Sequence, residues 1–96
     1  MSDPSLLVLA SLADGDKHGY AMMEDIERFA GVRLGPGTLY GAITRLEERG
    51  WIRAMKSEEG RRQPYTLSAD GRRYLEEQLA NLNLIVRTGL KRLRLA

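Results

Sequence analysis

The chain has 96 residues, with 15 lysines and arginines against 13 acidic residues, a net charge of +2 and no cysteine. That length supports one small core and excludes large multi-site enzymes. The absent cysteine excludes disulfides, thiolate nucleophiles and cysteine zinc sites.

His18 is the only histidine, so no histidine cluster can hold a catalytic metal, and no cofactor is expected. The longest apolar run, Leu6 to Ala10, is far short of the roughly 18 residues of a membrane span. Asp3 stands where a signal peptide carries basic residues, and a soluble cytoplasmic protein is expected. Charge is unevenly placed: residues 1–30 hold 2 basic and 6 acidic side chains, residues 31–75 hold 9 and 5, and residues 76–96 hold 4 and 2. A positive middle segment suits a face that meets a polyanion, although a solvated surface can also produce it.

Asp3 followed by Pro4 predicts the start of a first helix, since the carboxylate caps and proline needs no hydrogen bond there. This helix ends near Gly15, and its apolar Leu6, Leu7, Leu9, Ala10 and Ala13 cover more than one stripe, as when an interface adds to the core. Asp14-Gly15-Asp16 reads as a turn. From His18 to Ala30, Met22, Met23, Ile26, Phe29 and Ala30 recur at helical spacing, and Gly31 stops this second helix. Gly35 and Pro36 open a third helix running to Arg49, with Gly50 as its stop and Leu39, Ile43 and Leu46 on its inner face. Its opposite face carries Gly37, Gly41, Thr44, Arg45 and Glu48, flanked by Thr38 and Tyr40. Two helical glycines cost about 1 kcal/mol each relative to alanine, and they suit a face that approaches another surface closely.

Trp51 to Lys56 and Arg61 to Leu67 read as the two strands of a ribbon turning at residues 57–60, with Pro64 facing outward on an edge. Ser68 caps a last helix through Arg94. Its Leu75, Leu79, Leu82, Val86, Leu90 and Leu93 step by 3 or 4 residues, close to a heptad seam. At 1.5 Å per residue it is roughly 40 Å long, too long for one small domain to cover, which predicts a second chain.

Three helices followed by a ribbon is the order of a winged helix-turn-helix: a mainly α fold with a small β-wing, here carrying a long C-terminal dimerisation helix. Residues 1–67 form the expected DNA-binding domain and residues 68–96 the dimerisation helix. In this arrangement the third helix enters the major groove and the wing meets adjacent backbone. Thr38, Tyr40, Gly41, Thr44 and Arg45 are the candidate DNA-facing residues of the third helix, and Arg61 and Arg62 those of the wing. Candidate dimerisation residues are Leu6 and Leu9 of the first helix with Leu75, Leu79, Leu82, Val86, Leu90 and Leu93 of the last.

Four segments together resemble the PadR family of transcriptional regulators: His18-Gly19-Tyr20, Gly35-Pro36-Gly37-Thr38-Leu39-Tyr40, Leu46-Glu47-Glu48-Arg49-Gly50-Trp51-Ile52, and Tyr65-Thr66-Leu67-Ser68-Ala69-Asp70-Gly71. The resemblance covers Leu6 to about Leu75. It implies a homodimeric winged-helix repressor on a pseudo-palindromic double-stranded DNA operator, dimerised by its C-terminal helix and released by a small aromatic effector. Gly41 departs from the proline common in the family. Trp51 lies at the exit of the third helix, away from the dimer helix where some short members stack planar drugs.

Other readings are weaker. The glycines from Gly35 to Gly41 miss the G-x-G-x-x-G spacing, because Tyr40 falls on the third position. His18 has no relay partner, which favours a capping or packing role; Tyr20 reads as a packing residue, and Met22 and Met23 as core. No nucleophile, base and oxyanion donor converge, so an enzyme is not expected. The alternative to DNA binding is a winged-helix module that docks protein through its last helix.

Overall fold

The computed structural model describes residues 3–57, 60 and 62–95, so Arg61 of the expected wing contacts lies outside the described residues. Asp3 caps α1 (Pro4–Leu12) by accepting a hydrogen bond from the Ser5 N–H at 2.9 Å. The helix closes earlier than Gly15, because Ala13 and Gly15 turn their N–H groups onto Ala10 and Leu12 in a tightening last turn.

A short strand follows, β1 (Lys17–His18), and then α2 (Gly19–Ala30), whose cap is His18 through its Nδ1 and the Ala21 N–H at 3.2 Å. α3 (Pro36–Glu48) begins after Gly35. Gly31 and Gly50 turn the chain out of α2 and α3 at φ of 68° and 74°, the left-handed region that suits glycine. β2 (Ile52–Ala54), β3 (Pro64–Leu67) and α4 (Ala69–Leu95) complete the chain.

Among the described residues the sheet has three strands in the order β1-β3-β2, all antiparallel, and not the two expected. β3 is therefore central. Pro64, expected on an outward edge, stands opposite His18 of β1 while its carbonyl accepts from the Met55 N–H at 2.9 Å. Proline is tolerated here because it is the first residue of the strand, where the ladder asks least of its missing donor. Both wing strands are shorter than their apolar patterns suggested.

α1 lies at the centre, packed by α2, α3 and α4, with Leu7, Val8, Leu9 and Leu12 buried among Met22, Ile26, Leu39, Ile43, Leu46, Ile52 and Leu75. Its many-sided apolar pattern thus reflects enclosure within a single chain. Ser11, the buried polar residue of this helix, donates its hydroxyl to Asp25 at 2.7 Å, which removes the penalty of an unpaired group.

The start of α4 belongs to this core. Ser68 donates to the Gly50 carbonyl at 2.7 Å and accepts from the Gly71 N–H at 3.0 Å, while its own N–H donates to the Trp51 carbonyl. Gly71 lies so close to Trp51 that a Cβ would fall on the Trp51 carbonyl oxygen. Trp51 stacks on Tyr74 with ring centroids 3.7 Å apart, and Arg49 lies over the Trp51 ring. Beyond Leu75 the helix projects into solvent. A compact chain of this length has a radius of gyration of about 12.5 Å, whereas this one measures 15.1 Å and extends 58 Å along its major axis.

Among the described residues, no helix is long and apolar enough to cross a membrane.

Candidate nucleic-acid interface

α3 is amphipathic. Leu39, Ala42, Ile43 and Leu46 are buried against α1, which leaves Thr38, Tyr40, Thr44 and Arg45 exposed on the other side. The Thr44 hydroxyl donates to the Tyr40 carbonyl one turn back at 2.9 Å, and so keeps lone pairs free for an outside donor. Arg45 folds along its own helix over Gly41: a Cβ at Gly41 would sit 3.5 Å from a guanidinium nitrogen. A side chain longer than alanine would crowd this resting place. Gly37 faces open space.

Among the described residues, ion pairs engage Lys17, Arg28, Arg33 and Arg73, and none of those carboxylates pairs with Arg45, Arg49, Arg53 or Arg62. The pair of Arg45 with Glu48 that helical spacing permits is not formed. Arg62 instead lies over a ring, 5.2 Å from the centroid of Tyr20. Tyr20 is 46% exposed, so the packing expected for it is partial, and part of it is this contact with Arg62. Only tertiary contact between α2 and the wing reveals it, since the two positions are 42 residues apart. Tyr65 of β3 stays a neutral phenol: burial chiefly, with Glu47 and Tyr40 adding, raises its pKa above the ordinary tyrosine value.

The second candidate surface divides. Leu9 and Leu75 are 0% and 4% exposed inside the chain's own core, which leaves them no surface for the partner contact expected of them. Leu6 is half-buried, and Leu79, Leu82, Val86, Leu90 and Leu93 are exposed along α4 together with Leu84 and Ile85, which the seam did not include. Leu79 and Leu82 line a groove of about 540 Å³ with Leu6, Ala10 and the half-exposed Phe29.

A helix-turn-helix whose third helix turns an uncommitted polar face outward beside a β-wing defines a winged-helix protein. The description "Transcriptional regulator PadR-like family" matches residues 8–77, and the chain belongs to that family. It is similar to a transcriptional regulator from Clostridium thermocellum, with 28% identity, a TM-score of 0.82, and coverage of 92% of this chain and 87% of that one. It shares its fold with Bacillus subtilis PadR, solved in complex with operator DNA, at 21% identity and a TM-score of 0.70 over 78% of this chain and 45% of that one. It is also 48% identical over 80% of its length to an uncharacterized 37.1 kDa protein in transposon TN4556 of Streptomyces fradiae. The chain spans 22% to 39% of the length of the curated relatives it matches.

Proposed function

We propose that this chain is a homodimeric repressor that binds a pseudo-palindromic operator in double-stranded DNA. The observation that carries the reading is the exposed face of α3, where Arg45 has no carboxylate partner among the described residues and Thr38, Tyr40 and Thr44 stand beside it. The operator-bound state of the Bacillus subtilis relative supports the same choice of ligand.

Residues 1–67 would read DNA, with α3 in the major groove and Arg62 of the wing on flanking backbone. Residues 68–96 would hold the second copy through Leu79, Leu82, Val86, Leu90 and Leu93. Leu6 and Phe29 extend that apolar surface across the groove beside α4. A small aromatic effector would enter the same interface, between the first and last helices.

Selection of bound DNA from a random pool tests both halves of the reading at once. Recovered sites should contain inverted half-sites about 34–36 Å, or a multiple of it, apart. Arg45→Ala then separates two roles. As a base reader its loss costs about 1–3 kcal/mol and relaxes preference at one position per half-site; as a phosphate contact it weakens all sequences alike and lowers the salt slope. Affinity for the selected site that does not change with salt would point instead to an apolar protein-docking surface.

A further inference from the structure

Arg62 and Tyr20 line one cleft with His18, Gly19, Tyr40 and Gln63, a space of about 320 Å³ where the start of α2, the outer face of α3 and the strand leaving the wing converge. Gly19 makes this convergence possible. It has no side chain where a Cβ would fall on the Tyr40 hydroxyl, so Tyr40 lies directly against the beginning of α2. Tyr40 therefore belongs both to the exposed face of α3 and to the wall of the cleft, and the two surfaces are continuous.

We propose that this cleft seats a backbone phosphate of the bound DNA, with Arg62 as its counter-charge and Tyr20 as the positioning residue that presents Arg62. The proposal rests on the DNA-binding reading and adds to it a residue of α2 that lies outside the recognition helix and the wing.

The geometry of the pair suits this task. A guanidinium held 5.2 Å above a ring by cation–π attraction spends none of its N–H donors on that contact, so a phosphate can still accept two of them. An arginine on an exposed wing otherwise samples many rotamers, and each must be given up on binding. The Tyr20 ring restricts that freedom in the unbound protein, so less ordering remains when DNA arrives. Among the described residues no carboxylate pairs with Arg62 to compete for those donors. A phosphate contact carries no sequence information, so the cleft would set the register of α3 in the groove and leave base choice to α3 itself.

The test is a thermodynamic cycle on the full chain and its selected operator, read as affinity against salt. Arg62→Ala should weaken binding to all operator variants alike and lower the slope of log affinity against log salt by about 0.9 for each protomer bound. Tyr20→Leu should weaken binding about three-fold per protomer, in the lower part of the cost of ordering one long side chain on binding. Tyr20→Phe should bind as the parent does, because the ring is retained. Tyr20→Leu should add nothing once Arg62 is alanine. Arg62→Lys, an exposed change that does not threaten the fold, should keep the salt slope and lose affinity because an ammonium lacks the planar fork that meets a phosphate through two N–H groups at once. Effects of Tyr20→Leu and Arg62→Ala that simply add, or a Tyr20→Leu protein that binds as tightly as the parent, would overturn the proposal. A parent chain that itself shows no salt-dependent DNA binding would instead remove the DNA reading on which it stands.

Discussion

Gly71→Ala is expected to destabilise the protein by about 3 kcal/mol, the upper part of the range for overpacking a rigid site. The added methyl would fall on the Trp51 carbonyl, and that oxygen is backbone, already tied to the Ser68 N–H at 3.0 Å. A flexible side chain could move aside, but this group can yield only if β2 and α4 part. Nothing in helix propensity opposes the change, since alanine is favoured over glycine inside a helix by about 1 kcal/mol. For a domain of this size the melting temperature should fall by about 15 °C. Gly37→Ala is the matched comparison, because Gly37 also lies in a helix but has nothing within 4 Å of a Cβ. It should melt at or slightly above the parent temperature. Equal melting of the two variants would mean that the β2–α4 contact yields easily.

The double substitution Leu79→Glu, Leu82→Glu is expected to give monomers and to cost at least about 100-fold in operator affinity, since each protomer then binds its half-site without the other's help. Both leucines are nearly half exposed in the protomer, so the substitution disturbs little of the internal core. Their surroundings are apolar: Leu6, Ala10 and Phe29 across the groove, then Val86, Leu90 and Leu93 further along α4. Four carboxylates brought together in a symmetric pair would lose hydration and repel one another. Sedimentation would report the mass and helical circular dichroism the fold. A parent protein that sediments as a monomer at high concentration would sink the dimer itself.

Much of the fold is legible in the sequence where its cause is local. Asp3 with Pro4, Gly35 with Pro36, and Ser68 each announce a helix start through chemistry within four residues, and each stands at the start it implies. The spacing of Leu39, Ile43 and Leu46 likewise assigns the inner face of α3 and, by exclusion, its outer one. Features set by partners distant in the chain are not legible. β1 has two residues, too few for any period, and exists because Pro64 and Tyr65 lie opposite it. Pro64 reads as an edge residue in the sequence for the same reason, since without β1 the ribbon has only edges. Leu9 and Leu75 share the apolar character of true surface leucines, and only packing against α2, α3 and Ile52 distinguishes them. Tyr20 beside Arg62 carries no mark in either local segment.

The junction at Trp51, Ser68 and Gly71 makes α4 a stiff arm on the recognition body. A 27-residue helix is about 40 Å long at 1.5 Å per residue. Turning such an arm by about 5° carries its end about 3.5 Å, close to the 3.4 Å rise of one base step. In the proposed pair joined along α4, the angle between the two arms would therefore meter the distance between the two α3 helices. A compound that wedges the arms apart by a few degrees would put one recognition helix out of step with its groove while touching no residue that faces DNA.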